Sequence, residues 1–586
     1  MKFKDFAKTL KQIELTTARL EITDLLAKLY KQLSPQEGKV STYLLMGRLA
    51  PNYKGVELNL AVKLMYRVLA GVYGRSVEEI EAMYKEKGDL GDVAFELAKE
   101  KGLSSQGLRI EVVYERLMEV AKQEGVGSME RKLKLMEGLL KEVGALEAKY
   151  LVRVPVGALR LGFSEITVLD ALSWMLTGDK SLRPVIEKAF NVRSDIGLIV
   201  ELVLKAKDEG LGVEELKKRL LEVKAVPGVP IRPALAARLK TMDEVIEKLG
   251  KHGLEPKYDG LRTQIHGWYE KSEGGSLLPG VDVKVKIYSR NLEDITAMFP
   301  EIARSVVELL EKHNLKAVIL DGESIAYDPD SGQFFPFQET IKRKRKYGID
   351  RAQKDLPIKT FVFDVLYFDK DDVMDQVLVK RRKLMNKILK EEVGCLGLTP
   401  WHVVKNVKEM KQWFDKYISE GLEGIMSKKL DSVYQAGSRN FNWVKFKSEL
   451  DTVDLVVLGW YAGRGKRSKF GIGAFLVGVY DKKQDKFLTV TKIGSGLTDE
   501  QFHEMHKRCV DLQVESKPKV YVVPKELDCD FWVAPALVVE VKASEISKSP
   551  LHSSGYALRF PRLVRFRDDK KPTQATTVEE LAAMLG

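Results

Sequence analysis

At 586 residues and 66.3 kDa the chain is too long for one hydrophobic core, because single cores stop growing near ~250–300 residues, so three or four domains are expected. Hydrophobic residues at 44% and charged residues at 31%, with 45 Gly and 20 Pro, exclude a disordered, collagen-like or low-complexity chain. Lys+Arg of 96 against Asp+Glu of 84 leaves +12, which points to a polyanionic partner, with nucleic acid first among them.

The first ~225 residues carry helical periodicity. Ile22, Leu25, Leu26 and Leu29 fall at i, i+3, i+4 and i+7, as do Leu58, Ala61, Val62 and Met65, the stripe of a core-facing helix. No fixed period of 20–50 residues accompanies them, so a helical repeat array is not expected. The segment 226–233, with prolines at 227, 230 and 233, cannot continue a helix and reads as an extended connector, which sets the first boundary at 230 and an interdomain hinge there. Beyond it the period changes to two. Val281, Val283, Val285 and Ile287 alternate with polar partners, and further strands are predicted at 317–320, 360–368 and 442–446 with helices between, an α+β domain over 231–448. From 449 to 586 strands dominate, at 455–460, 474–480, 486–493 and 537–541, which fits a five-stranded barrel of the OB type. A basic glycine-rich hairpin loop, Gly463 to Gly473, joins the first two of these strands, and a second hinge is expected near Leu450.

Cys395, Cys509 and Cys529 are far apart, so neither a disulfide framework nor a four-cysteine zinc module is available, and a reducing compartment fits. The segment MKFKDFAKTLKQIE is polar rather than a signal h-region, and no run of ~18 apolar residues occurs, so the chain is expected neither to span a membrane nor to be exported, with a cytoplasmic, nucleoid-associated location. Gly-Lys at Gly38, Gly250 and Gly465 is never followed by Ser or Thr, which removes a Walker A loop. The Gly463 loop fails GxGxxG at Ser468, His503 and His506 lack metal-site spacing, and no GxSxG elbow stands out.

The informative residues come in order. Glu255-Pro-Lys-Tyr-Asp-Gly-Leu-Arg262 places a lysine two residues before Asp-Gly. Ser289-Arg-Asn291, Leu320-Asp-Gly-Glu323, Phe361-Val-Phe-Asp364, Glu423-Gly-Ile-Met-Ser-Lys428, Trp443-Val-Lys-Phe-Lys447 and Arg559-Phe-Pro-Arg562 follow. In this order they resemble the signature of the covalent nucleotidyltransferases, and over essentially its full length the chain resembles an ATP-dependent DNA ligase of the archaeal and eukaryotic replicative type. The segment 229–236 also matches the stretch preceding the adenylation domain of such ligases. The resemblance implies a helical DNA-binding domain over 1–230, an adenylation domain over 231–448 and an OB-fold domain over 449–586.

The same resemblance implies that Lys257 attacks the α-phosphorus of ATP, that AMP passes to the 5′-phosphate of a nick in double-stranded DNA, and that the 3′-hydroxyl then displaces it, in DNA replication, repair and recombination and so in cell division. It implies Glu255 beside the adenine, Arg262 and Arg290 at the ribose or phosphates, and Phe363 stacked on the base. Glu323 serves the ribose and, with Glu423, a metal ion, Mg²⁺ with Mn²⁺ as a substitute. Arg439, Lys445 and Lys447 meet phosphates, and Arg559 and Arg562 meet the pyrophosphate. A lysine nucleophile must shed its proton, which cationic neighbours favour; Lys445 and Lys447, two apart on a strand, point to one face and are able to supply that charge near Lys257.

Sequence-independent DNA contact is expected at 342–346, at 464–469 and at 153–162. Two departures from the family stand out: the insertion 272–280, and the stretch Leu103 to Leu108, which lacks the paired aromatics of the usual segment for a PCNA-like sliding clamp. A monomer is expected. A capping guanylyltransferase or an RNA ligase would share several motifs without this helical region, an NAD-dependent ligase would carry a zinc module, and a silent DNA-binding scaffold would have lost Lys257. Use of ADP, GTP or NAD beside ATP stays open, and high Lys and Glu usage leans thermophilic.

Overall fold

The computed structural model describes residues 1–157, 159–270, 283–335, 337–345, 347–447, 452–463 and 465–585. The insertion 272–280, Arg464, Lys346 and the junction at Leu450 lie outside them. The chain divides into two compact units, Met1–Phe446 and Lys447–Gly586.

The first unit opens with helices only, from Phe3–Glu14 to Val213–Leu221, packed around one apolar core that runs from Phe3 to Leu220. The stripe at Ile22 forms the helix Arg19–Lys31 and buries Ile22, Leu26 and Leu29 as read. The stripe at Leu58 is cut short. The helix begins at Val62 with Ala61 as its cap, and Leu58 and Leu60 are buried from the extended approach to it, so their apolar character reflects burial without helical periodicity.

Among the described residues eleven strands follow in this unit: β1 (Leu235–Arg238), β2 (His252–Lys257), β3 (Leu261–Tyr269), β4 (Val283–Ser289), β5 (Ala317–Ala326), β6 (Ile358–Phe368), β7 (Asp371–Asp372), β8 (Leu396–Leu398), β9 (His402–Val404), β10 (Gly424–Lys428) and β11 (Arg439–Lys447). They form two sheets, one ordered β1-β11-β10-β2-β9 and one β4-β3-β5-β6-β7 with β8 on β6. The first sheet is backed by the helices Met242–Leu249 and Val407–Ser419 through Leu254, Ile425 and Val444. The second is backed by the helices Pro300–His313 and Leu378–Ile388 through Ile265, Leu320, Val362 and Val365. Between the sheets lie Ile319, Tyr434 and Trp443, with Phe363 and Met426 packed against them. The layers are therefore helix, sheet, sheet, helix, and the faces turned toward each other carry the polar residues discussed below.

The connector does not hang free. Val226–Pro233 lies against β3. Gly228 N–H donates to His266 Nδ1 at 3.1 Å, Ile231 N–H donates to Gln264 Oε1 at 2.7 Å, Gln264 Nε2 returns a bond to the Ile231 carbonyl at 2.9 Å, and Tyr288 Oη donates to the Gly228 carbonyl at 2.6 Å. Ile231 is wholly buried. Three prolines leave few backbone donors to satisfy: side chains of β3 take the Gly228 and Ile231 N–H groups, and the Val226 and Asn191 carbonyls take those of Val229 and Arg232. The hinge expected at Pro230 is thus a docked strap in this structure. Glu165 reinforces it, bonded to Arg48 at 2.6 Å and to Arg232, whose guanidinium stacks 4.3 Å from the Phe190 ring centroid.

The second unit contains β12 (Val453–Ala462), β13 (Ile472–Asp481), β14 (Lys486–Ile493), β15 (Gln513–Val514), β16 (Tyr521–Val522), β17 (Phe531–Val533), β18 (Val538–Lys542), β19 (Glu545–Lys548), β20 (Tyr556–Arg559) and β21 (Arg562–Phe566). Eight of them make one curled sheet, β15-β17-β12-β13-β14-β16 with β18 between β12 and β21, and β19-β20 is a separate hairpin. This is more than the four strands read from sequence; β15, β16 and β17 have two or three residues each, too short to show a period. The helix Asp499–Asp511 carries both histidines of the HEMH stretch, His503 exposed and His506 edge-on to Trp460 at 5.1 Å.

Candidate active site

Strand alternation builds the first half of the site. In β2, Gly253, Glu255 and Lys257 share one face, and Leu254 enters the core on the other. The antiparallel register with β10 sets Gly424 opposite Lys257, Met426 opposite Glu255 and Lys428 opposite Gly253, so Lys428 joins the same face. Glu423, the residue before β10, ion-pairs with Lys257, and its N–H donates to the Lys257 carbonyl at 3.1 Å. On β11 the Lys429 N–H to Asn442 carbonyl bond of 2.8 Å fixes an antiparallel register that brings Lys445 opposite Met426. Lys447 is the last residue of that strand, and the second unit begins there.

The turn after Lys257 requires Gly260. A Cβ there would stand 2.5 Å from the Ser324 carbonyl oxygen, so only glycine lets the chain cross that close to β5. Tyr258 anchors the same turn by stacking on Phe361 at 4.2 Å.

The facing sheet supplies the other half. Arg262 on β3 lies opposite Glu323 on β5. Burial pushes the Glu323 carboxyl up to about 7, against the opposing pull of Lys257 and Arg262. Arg262 is fully engaged by protein: Nε and one terminal nitrogen grip the buried Asp321 at 3.0 and 2.6 Å, and the other donates to the Ala234 carbonyl at 2.8 Å. Asp321 also accepts from Tyr434 Oη at 2.9 Å. Phe363 occupies a β-bulge: Asp364 pairs with Asp321 and Val362 with the next residue, Gly322, leaving Phe363 without a partner and turned into the space between the sheets. Its ring meets Arg262 at 5.4 Å, Lys428 at 4.7 Å and Trp443 at 5.9 Å.

Contacts therefore run from Arg262, opposite Glu323, through Phe363 and Lys428 to Glu255, while Lys257, on the same face of β2 as Glu255, pairs with Glu423. Glu255 is buried, bonded by Lys428 at 2.6 Å and Arg382 at 3.4 Å; burial raises its pKa, and the two cations oppose that shift. Arg382 and Tyr434 were not singled out from sequence, and Lys428 and Asp321 stood inside quoted motifs with no role assigned. A buried cation must be paired, which marks Arg382 and Lys428 once the fold is known, but nothing local in the sequence marks them as buried.

The other sequence-predicted residues lie elsewhere. Arg290 is exposed in the turn after β4. Arg439 opens β11 opposite Leu235, six residues and roughly 20 Å of strand from Lys445. It lines a cavity of about 640 Å³ with Lys188, Asn191, Lys224 and Asp375, and the structure does not bring it to Lys257. Arg559 and Arg562 belong to the second unit, where Arg559 reaches Glu545 at 3.6 Å across the β19-β20 hairpin, and Arg562 is exposed. Between them Phe560 is exposed in a left-handed conformation, φ 48°.

The basic stretches expected to meet DNA are also partly committed. In 342–345, Arg343 is wholly buried on Glu301 and the Phe299 ring, Lys344 pairs with Glu293 and Lys342 with Glu339. In 153–162, Arg153 is buried between Asp89, at 2.9 Å, and Glu14, at 3.0 Å. Arg343 and Arg153 thus hold the fold, while Lys342, Arg345 and Arg160 of the same stretches are exposed.

A lysine paired with a carboxylate in a slot between two sheets, with an aromatic bulge on the facing sheet, offers the groups that nucleotide chemistry uses. Comparison with known proteins carries this to a family. The chain matches the models described as DNA ligase N terminus over residues 2–173, ATP dependent DNA ligase domain over 233–447 and ATP dependent DNA ligase C terminal region over 468–570. It is 41% identical over 597 residues to a probable DNA ligase of Dictyoglomus turgidum, covering 100% of this chain and 97% of that one, and 38% identical over 613 residues to a DNA ligase of Acidianus ambivalens, again with 100% and 97% covered. A solved chain, Pmar-Lig_PreS3, shares the fold with a TM-score of 0.57 at 18% identity, covering 96% of this chain and 99% of its own. The chain belongs to the ATP-dependent DNA ligase family, enzymes that seal nicks in DNA with ATP. Among the described residues no helix is long and apolar enough to cross a membrane.

Proposed function

We propose that Lys257 is the residue that carries AMP. Its side-chain nitrogen, once deprotonated, attacks the α-phosphorus of ATP; the P–N bond forms, the bond to the bridging oxygen breaks, and pyrophosphate leaves. The 5′-phosphate of the nick then takes the AMP, and the 3′-hydroxyl displaces it to close the strand. The observation that supports this reading best is that Lys257, paired with Glu423, shares a face of β2 with Glu255, which Lys428 links to Phe363 on the facing sheet.

In this reading Glu255 lies beside the adenine, Phe363 stacks on it, and Glu323 faces the ribose. Lys445 and Lys447 meet the phosphates, and Arg559 and Arg562 meet the departing pyrophosphate. Arg262 shapes the slot through Asp321 and Phe363. Arg439 and Arg290 stand away from Lys257 and suit DNA phosphates better than ATP. The divisions at 230 and 448 separate a helical DNA grip, the adenylation domain and the OB-type domain, acting as a monomer on nicked duplex DNA.

Glu323 and Glu423 fit a Mg²⁺ or Mn²⁺ ion. Both are oxygen donors beside Lys257, and among the described residues no hydrogen-bond donor holds the Glu323 carboxylate. An ion there supplies neutralisation of phosphate charge. The Glu423 carboxylate holds the Lys257 side chain in the slot, and Glu323 stands on β5 opposite Arg262.

The test is incubation with α-labelled ATP, GTP or NAD, followed by nicked DNA or nicked RNA. Label entering the protein from ATP and leaving it for nicked DNA is expected. Label from GTP alone, or label that never reaches DNA, overturns the reading.

A further inference from the structure

The helix Leu378–Ile388 sends two adjacent arginines into the protein interior. Arg381 grips Asp364 at 2.7 and 2.9 Å and ties the helix to β6. Arg382 takes a different course. One terminal nitrogen reaches Glu255 Oε1 at 3.4 Å, the other donates to the Thr399 carbonyl, and the guanidinium packs 5.1 Å from the Trp401 ring centroid. Glu255 Oε2 is held by Lys428 at 2.6 Å, and Lys428 in turn donates to the Phe363 carbonyl at 3.2 Å. Each oxygen of this buried carboxylate is thus fixed by its own cation. The ionisable groups around it are Lys428 on β10, Arg382, Asp364 on β6, Tyr258 and Tyr417.

A carboxylate whose two oxygens each accept from a cation presents acceptor lone pairs, not a donor, to a base beside it. It welcomes the exocyclic amine of a base and opposes a carbonyl oxygen at the same position. Arg382 itself is enclosed by Trp401, Thr399 and Glu255, so it acts on a base only through that carboxylate. We infer that Arg382 is a positioning residue that sets base specificity through Glu255, favouring a purine with an exocyclic amine over one with a carbonyl. The inference rests on the reading that the base lies beside Glu255.

The experiment measures covalent nucleotidyl-enzyme formation with α-labelled ATP and with α-labelled ITP, whose base carries a carbonyl in place of the amine. The full-length protein is compared with Arg382→Met, Arg382→Lys and Glu255→Gln. In Arg382→Met the ATP-over-ITP ratio of kcat/KM is expected to fall by about tenfold, the size of a lost charged hydrogen bond. It is expected to fall by roughly threefold in Arg382→Lys, which keeps the charge but reaches only one of the two acceptors. Adding Arg382→Met to Glu255→Gln should leave the ratio of Glu255→Gln unchanged, because both act through one contact. Equal loss with both nucleotides, leaving the ratio at its wild-type value, overturns the inference as a general structural effect. If Arg382→Met does not fold, an unchanged ratio in Arg382→Lys overturns it equally. Failure of the wild-type protein to take label from either nucleotide overturns the site reading itself, an outcome separate from an unchanged ratio.

Discussion

Glu323 shows how one carboxylate couples fold and chemistry. Its pKa rises from an ordinary 4.5 to about 7 because burial penalises the charged form more than Lys257 and Arg262 favour it. A raised acid pKa means the folded state holds the proton more tightly. The stabilisation from this group is therefore complete below pH 4.5 and is lost as pH rises through 7. Adenylation runs the other way, since a ribose or metal role needs the carboxylate. Enzyme adenylation is expected to fall on the acid side with an apparent pKa near 7, moving lower as Mg²⁺ is raised, and a pH profile of covalent labelling at two Mg²⁺ concentrations checks it. An acid limb in the ordinary carboxylate range at both concentrations contradicts it. At this scale the sequence revealed Lys257, Glu255 and Glu323 because they stand in recognisable order. Lys428 stood at the end of a motif without a role and Arg382 in no motif; what both do follows from the fold, since burial decides it and no local pattern encodes it.

Elements that span the first unit are fixed by polar bonds as much as by apolar packing. The strap Val226–Pro233 is the clearest case. Its boundary was legible from three prolines, but its docking was not, because Gln264, His266 and Tyr288 lie more than 30 residues on and bond it through side chains. Gln264→Ala leaves both the Ile231 N–H and its carbonyl without their side-chain partner, a loss of about 2–4 kcal/mol. The variant is expected to melt several degrees lower and to be cut within 226–233 by protease faster than the wild type. An unchanged melting temperature and cleavage rate would show that the strap contributes nothing to the unit. The bulge at Phe363 teaches the same lesson: the run Thr360 to Phe368 reads as an uninterrupted strand, and only its pairing with β5 exposes the extra residue that turns the ring inward.

For the whole molecule, the +12 surplus is a net figure that buried ion pairs leave unchanged, since each takes an acid with its base. Arg153, Arg343, Arg381 and Lys428 are buried in ion pairs, so part of the basic content holds the fold. The chain-long motif order made the three-part organisation legible, whereas the number of strands in the second unit was hidden in segments of two or three residues. The second unit carries Arg559 and Arg562 on either side of the left-handed Phe560. Arg559→Ala combined with Arg562→Ala is expected to reduce adenylation by about 100-fold or more, from lost charge stabilisation of the pyrophosphate, while sealing of pre-adenylated nicked DNA falls far less. Equal losses in the two assays would contradict a role confined to the first step.

The central claim is that Lys257 carries the AMP. The most direct measurement is mass spectrometry of the protein after incubation with ATP, with the adduct mapped to a peptide and then chased with nicked DNA. The account predicts one AMP on Lys257, absent from Lys257→Ala and discharged by the nick; AMP on another residue, or an adduct that survives in Lys257→Ala, would contradict it.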